Sequence, residues 1–116
     1  MKKIYYLKTC DTCRRILKSL PNIDSFILQD IKKEPITPQQ LEEMHALAGS
    51  YKALFSRKAT LYKERGLKDV QLGEEDYKNL ILEHYTFLSR PVIIANDTIF
   101  IGNNAKTVEA AIAHLS

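Results

Sequence analysis

The pair Cys10 and Cys13 is the feature of this sequence that most constrains its fold, because the residues around it predict a strand directly followed by a helix. Residues 4–7, Ile-Tyr-Tyr-Leu, form a short apolar and aromatic run that is typical of a buried strand. Cys13 begins an apolar stripe with helical spacing, which continues at Ile16, Leu17 and Leu20. Cys10 is therefore expected at or just before the N-terminus of a helix that Pro21 ends.

The remaining strands are predicted at both ends of the chain. Residues 25–28 predict a second strand, parallel to the first because a helix-long crossover joins the two. Residues 92–95 and 98–101 predict a hairpin around an Asn-Asp turn, since both residue types tolerate positive φ. A final helix is expected from about Asn104, with an apolar face formed by Val108, Ala111, Ile112 and Leu115.

The middle of the chain, residues 31–89, predicts mainly helices. The sequence Thr-Pro-Gln-Gln at residues 37–40 combines an N-cap, a proline at the first helical position and a glutamine three residues after the cap. A helix is therefore expected from this point to Ala48, with Gly49 as its terminator. Another helix is predicted from about residue 74 to 83, and shorter helical pieces lie between the two.

The predicted order is β-α-β, a helical stretch, then β-β-α, which is the order of the thioredoxin fold. We therefore expect an α/β chain with a thioredoxin-like four-stranded mixed sheet and a helical insertion. Residues 1–116 are expected to form a single domain, with residues 1–30 and 90–116 as the thioredoxin-like core and residues 31–89 as the insertion. In this fold a Cys-x-x-Cys motif that opens the first helix is the redox site.

Cys10 is better placed than Cys13 to act as a nucleophile. The thiolate is the reactive form, and a helix N-terminus lowers the pKa of a cysteine from about 8.5 to about 3.5–7.5. Basic neighbours are expected to strengthen this effect, namely Lys8, Arg14 and Arg15, and Asp11 to oppose it modestly. Cys13 lies on the apolar stripe and is expected to resolve a mixed disulfide by closing a Cys10–Cys13 disulfide.

Two other interpretations of the cysteine pair stay open. The pair could be two inert buried thiols, which suits the position of Cys13 on an apolar face. It could also be half of a zinc site, although the chain has no second cysteine pair and its three histidines are isolated, at His45, His84 and His114. We therefore predict no metal site.

Charge and composition exclude several classes of protein. The formal net charge of +3 is too small to predict nucleic-acid binding, and no apolar run is long enough for a membrane span or a secretory signal. We expect a cytoplasmic protein, and a structural disulfide is not expected in that reducing compartment. Residues 1–20 carry six basic residues against Asp11 alone, so positive charge surrounds the cysteines.

Three blocks of sequence make the chain resemble the arsenate reductase and Spx family. The blocks are Lys-Thr-Cys-Asp-Thr-Cys at residues 8–13, Arg57 followed by Leu-Tyr-Lys at residues 61–63, and Leu-Ser-Arg-Pro-Val-Ile at residues 88–93 ahead of a hairpin and Gly102. The similarity runs over nearly all of the chain, including the helical insertion. It implies an oxidoreductase with a thioredoxin-like fold.

The resemblance also implies which residues act. Arg57 and Arg90 reach the Cys10 site and, with Cys13, form the catalytic set for a small anionic or thiol substrate. The positions implied in substrate binding are Thr9, Asp11, Thr12, Pro91 and Asn103. Because the proline before the third strand is commonly cis in this fold, we expect a cis bond before Pro91. No bound cofactor is expected, and the implied electron donor is glutathione or a glutaredoxin or thioredoxin system.

Some positions separate the two branches of this family. Glutathione-linked arsenate reductases have one cysteine in the motif and a third arginine after the hairpin, whereas this chain has Cys13 and a neutral Asn103. Both features are closer to Spx proteins, which bind the RNA polymerase α subunit and use the cysteines as a redox switch. Gly49 falls near the glycine of that contact, so a redox-sensing regulator is the alternative function.

Overall fold

The computed structural model describes all residues from 1 to 116. Its strands and helices are, in chain order, β1 (Lys2–Tyr6), α1 (Asp11–Ser19), β2 (Ile27–Asp30), α2 (Pro38–Ala48), α3 (Thr60–Glu64), α4 (Glu74–Glu83), β3 (Val92–Ala95), β4 (Thr98–Ile101) and α5 (Ala105–Leu115). The chain divides into two compact units, one formed by Met1–Pro35 with Arg90–Ser116 and the other by Ile36–Ser89. None of the helices is both long and apolar enough to cross a lipid bilayer.

The first unit holds a four-stranded mixed sheet in the order β2-β1-β3-β4. β1 pairs with β2 in parallel and with β3 in antiparallel fashion, and β3 and β4 form the predicted hairpin. One face of the sheet packs against α1 and α5 through a buried cluster of Ile4, Ile16, Leu20, Phe26, Ile93, Ala95 and Ala111. This α/β architecture is the one that the element order predicts, and it places the start of α1 directly after β1.

Two strand boundaries differ from the prediction made for residues 4–7 and 25–28. β1 covers Lys2–Tyr6 and β2 covers Ile27–Asp30, so the second strand begins two residues later than expected. The reason is that Asn22 adopts a left-handed conformation with φ 58° and is followed by a 3₁₀ turn at Ile23–Ser25. Pairing of Lys3 with Ile27 then sets the register of the parallel strands.

The second unit is helical and has an aromatic core. α2 has the predicted bounds, and its N-terminus carries the complete capping box that residues 37–40 predict. Phe55 lies at the centre of this core, with its ring centroid 4.9 Å from that of Tyr77 and 5.4 Å from that of Phe87. The segment between α2 and α4 consists of α3 and two 3₁₀ turns, as the short helical pieces expected there suggest.

Candidate functional site

Cys10 occupies the N-cap of α1, with φ −91° and ψ 115°. Its backbone N–H donates to the carbonyl of Leu7 over 3.0 Å, and its carbonyl accepts the first helical hydrogen bond, from Arg14 N–H, over 3.1 Å. The Cys10 side chain makes no capping hydrogen bond and is partly exposed. Cys10 therefore lies at the start of the helix, and part of the residue is open to a reaction partner.

The surroundings of Cys10 lower the pKa of its thiol below the usual value of 9.0. Partial burial is the largest single influence and acts in the opposite direction, since it raises the pKa. The backbone N–H groups of Cys13 and Thr12, together with the Cys13 thiol, outweigh it because they stabilise the thiolate, and the positive charge of Arg90 adds to their effect. The thiolate is thus the favoured form of Cys10 over a wider pH range than for a free cysteine.

Cys13 has the opposite character. Its side chain lies on the buried face of α1 with 1% of its surface exposed, and both cysteines are free thiols. Burial has the largest influence and raises the pKa of Cys13, and the nearby Cys10 raises it too, whereas the Leu7 backbone N–H and Arg90 lower it. The resulting pKa is about 11. The two sulfurs interact. The site therefore combines Cys10, which ionises more readily than a free cysteine, with Cys13, which ionises less readily.

Arg90 and Pro91 stand immediately before β3, in the same unit as the cysteines. The Arg90–Pro91 peptide bond is cis, as predicted. Pro91 is buried, and its carbonyl accepts a hydrogen bond from Gly102 N–H over 2.9 Å. The positive charge of Arg90 lowers the pKa of both thiols.

The predicted influence of the basic residues next to the motif needs correction. Lys8, Arg14 and Arg15 are all exposed and are not among the main influences on the pKa of Cys10. Arg14 forms an ion pair with Asp11 at the surface of α1, so the two charges largely offset each other. The pKa of Cys10 is lowered mainly by the backbone N–H groups of Cys13 and Thr12 and by the Cys13 thiol, with a smaller effect from Arg90, which is distant in the sequence.

Two of the positions expected to bind substrate share one groove of the first unit. Thr12 and Asn103 line one groove of about 390 Å³ at the starts of α1 and α5, together with Arg15 and Glu109. Thr9 and Asp11 are exposed beside Cys10 in the chain. The groove contains both Thr12 and Asn103, and its lining adds Glu109 of α5, which no sequence motif indicates.

Arg57 and Gly49 belong to the second unit. Arg57 is exposed and lines a cleft of about 760 Å³ that this unit forms by itself. Gly49 ends α2 with φ +88°, a left-handed conformation that favours glycine, and a side chain built there would meet nothing within 4 Å. The termination of α2 is sufficient to explain this glycine. Across the chain, no group of three or more histidine, cysteine, aspartate or glutamate side chains is arranged to hold a metal ion.

Comparisons with known proteins agree on one family. The family model described as ArsC family matches residues 5–111. The arsenate reductase of Neisseria meningitidis is 27% identical over 115 residues, which cover 95% of this chain and 97% of that protein. The arsenate reductase of Rhizobium meliloti is 30% identical over 95 residues, which cover 79% of this chain and 67% of that protein.

The solved structures extend this likeness to the fold. The arsenate reductase from Vibrio cholerae superimposes with a TM-score of 0.72 at 24% identity, covering 99% of this chain and 97% of that chain. The match over nearly the whole length includes both units. At this level of identity the likeness shows the thioredoxin-like fold of the arsenate reductases, including its helical insertion.

Proposed function

Because the chain belongs to the ArsC family, we propose that it is a thiol–disulfide oxidoreductase of the arsenate reductase type, with Cys10 as nucleophile and Cys13 as resolving cysteine. The observation that carries this proposal is the asymmetry of the two thiols. The pKa of the partly exposed Cys10 is lowered, whereas that of the buried Cys13 is raised to about 11. The partly exposed Cys10 thiolate attacks first, and the buried Cys13 thiol reacts only after an adduct has formed on Cys10.

The reaction with a disulfide substrate has two steps. The Cys10 thiolate attacks one sulfur of the substrate, the substrate S–S bond breaks, and the other sulfur leaves as a thiolate. Cys13 then gives its proton to solvent or to the leaving group and attacks the sulfur of Cys10, which releases the second substrate thiolate. Two electrons pass to the substrate, and the Cys10–Cys13 disulfide is reduced by two molecules of glutathione or by a glutaredoxin or thioredoxin system.

Two arginines are proposed to stabilise the negative charge of the substrate. Arg90 acts on Cys10 within the first unit, and its planar guanidinium suits a carboxylate or an oxyanion. Arg57 lines the cleft of the second unit and is assigned the same role by its place in the sequence motif. Thr9, Asp11, Thr12, Pro91 and Asn103 are the proposed substrate-binding positions.

Arsenate is the second substrate that we propose, because the curated relatives are named for its reduction. In this reaction the Cys10 thiolate displaces a hydroxyl group of arsenate, which takes up a proton and leaves as water, and an S–As bond forms. Attack by Cys13 on the Cys10 sulfur forms the disulfide and breaks the S–As bond. The electron pair of that bond stays on arsenic, so As(V) leaves as As(III) in arsenite. Asn103 supplies no charge to this oxyanion, so we expect turnover of a glutathione mixed disulfide to exceed that of arsenate.

The test compares the two cysteines in an otherwise identical chain. With a glutathione mixed disulfide as substrate and glutathione as reductant, Cys10→Ser should lower turnover at least about 1000-fold, as expected for loss of a nucleophile. The matched variant Cys13→Ser should instead accumulate a mixed disulfide on Cys10, which mass spectrometry of a tryptic digest can locate. Full turnover by Cys10→Ser, or an adduct on Cys13 in the wild-type chain, would contradict the assignment.

A redox-sensing regulator that binds the RNA polymerase α subunit is the second function that we propose to test. Its support is the Cys-x-x-Cys motif and the exposed Gly49. Because Gly49 has a positive φ, the informative change is Gly49→Asn, which tolerates that conformation and still adds a side chain to the surface. Weakened co-purification with the α subunit supports the regulator, and no binding in either redox state rules it out.

A further inference from the structure

The second unit contains a basic cleft, and of its residues the proposed thiol chemistry uses only Arg57. We define the basic cleft by Arg57, Lys58, Tyr62, Lys63, Lys68 and Asp69, which line a cavity of about 760 Å³. This volume lies in the range of about 300–1,000 Å³ that is typical of sites for small molecules. The cleft is therefore large enough for an organic ligand.

The charges of the basic cleft are not neutralised within the chain. The two ion pairs of the structure are Arg14–Asp11 and Arg65–Glu83, and neither involves a residue of the cleft. Four cationic side chains thus surround one cavity, and Asp69 is the single carboxylate among its lining residues. Like charges held around one concavity repel each other, so an anion placed between them relieves the repulsion.

We propose that the basic cleft binds a small molecule that carries at least two phosphate groups. A ligand with a single negative charge would leave most of the cationic side chains unneutralised. Phosphate groups suit the residues present, because lysine binds phosphate as a point charge and arginine binds it through two parallel hydrogen bonds. The half-buried Tyr62 provides an apolar wall for an organic part of the ligand.

This inference shares only Arg57 with the proposed oxidoreductase function. The other basic residues of the cleft, Lys58, Lys63 and Lys68, belong to the second unit and have no part in that function. The cavity also favours a small molecule over a polymer. A nucleic-acid duplex contacts a protein along an extended basic surface, and the net charge of +3 is small for such a partner.

The test is isothermal titration calorimetry of the full chain with inorganic pyrophosphate and with ADP, in a low-salt buffer without divalent cations. Lys63→Gln and Lys68→Gln should each weaken binding about five-fold, since an exposed charge contact contributes up to about 1 kcal/mol. Lys33→Gln, which removes an equally exposed lysine from the first unit, should leave the affinity unchanged. Asp69→Asn should strengthen binding about two- to five-fold, because it removes the one repelling carboxylate.

The outcomes distinguish a nucleotide from free phosphate groups, and they distinguish binding in the basic cleft from the thiol chemistry of Cys10. Tighter binding of ADP than of pyrophosphate would identify a nucleotide, whereas equal affinities would identify the phosphate groups alone as the ligand. Cys10→Ser should bind both probes like the wild-type chain even though it loses turnover. Absence of binding up to about 1 mM of either probe, a value that marks weak affinity, would overturn the proposal. An equal loss of affinity in Lys33→Gln would also overturn it.

Discussion

Two helix starts in this chain have side chains at the same spacing and use them in opposite ways. In α2, Thr37 is the N-cap and Gln40 is the third helical residue; Thr37 Oγ1 accepts from Gln40 N–H, and Gln40 Oε1 accepts from Thr37 N–H, each over 3.1 Å. In α1 the corresponding positions are Cys10 and Cys13, and the cap makes no side-chain hydrogen bond. The Cys-x-x-Cys motif thus occupies the positions of a capping box without forming one.

The contrast between α1 and α2 shows how the N-terminus of a helix can hold a reactive group. At α2 the amides are satisfied by good oxygen acceptors, and the result is stability. At α1 the N–H of Cys10 donates to the carbonyl of Leu7 instead, which leaves the Cys13 side chain facing the Cys10 sulfur. A neutral thiol is a weak acceptor, so the helix amides favour the charged thiolate over the thiol. Four experiments test this contrast.

The largest expected effect concerns Cys13 at high pH. Its pKa is about 11 in the folded chain against the usual 9.0, so the unfolded chain loses this proton first as the pH rises. The free energy of unfolding should therefore fall by about 2 kcal/mol between pH 9 and pH 11. Urea unfolding in the presence of a phosphine reductant measures this fall in the free energy of unfolding. Cys13→Ala is the reference, because it lacks the thiol whose ionisation causes the fall. Parallel curves for the two proteins would contradict the raised pKa.

The capping box of α2 predicts the next effect. Thr37→Ala removes the acceptor for Gln40 N–H and should lower the free energy of unfolding by about 1 kcal/mol. Gln39→Ala is the matched control, since Gln39 is exposed at the second position of the same helix and takes no part in the box. Denaturant titration should show little change for this control. Equal losses in both variants would mean that helix propensity, and not the cap, is responsible.

Cys10→Ser should raise the free energy of unfolding, whereas Thr37→Ala lowers it. Serine is a preferred N-cap whose hydroxyl accepts from the helix amides, so the variant should be more stable by about 0.5 kcal/mol. The measurement belongs at pH 5, where ionisation of the thiol contributes less to the wild-type chain. Cys13→Ser serves as the comparison and should lose stability, because it buries a hydroxyl group in an apolar position. A less stable Cys10→Ser chain would show that the sulfur already caps α1.

The smallest expected effect is on the pKa of Cys10. It distinguishes the charge of Arg90, which is distant in the sequence, from the charge of Arg15, which lies next to the motif. Arg90→Gln should move the pH midpoint of Cys10 alkylation by iodoacetamide upwards, because the Arg90 charge is one of several groups that lower this pKa. Arg15→Gln removes an exposed charge from α1 and should shift the midpoint less. An equal or larger shift in Arg15→Gln would restore the expectation that the basic residues next to the motif control the thiol.

Much of the site could be predicted because it depends on local chemistry. A strand, a Cys-x-x-Cys pair and an apolar stripe place Cys10 at the N-cap and Cys13 on the buried face, and the structure has both. The distant groups that change the pKa values of the two thiols could not be predicted in the same way. Arg90 lies 80 positions from Cys10, and the Leu7 amide acts on Cys13 only because the chain turns sharply between β1 and α1.

The same distinction applies to the fold. Elements with local start and stop signals follow from the residues alone, such as α2 between its capping box and Gly49, and the hairpin whose Asn96 adopts φ 59°. The tertiary fold sets where β2 begins, since a strand at a sheet edge is defined by its hydrogen-bonding partner and not by its own residues. It also decided which charges act on the thiols and which cations share the basic cleft. Electrostatic effects depend on the distance between charges and on their burial, and the sequence of residues specifies neither of these directly.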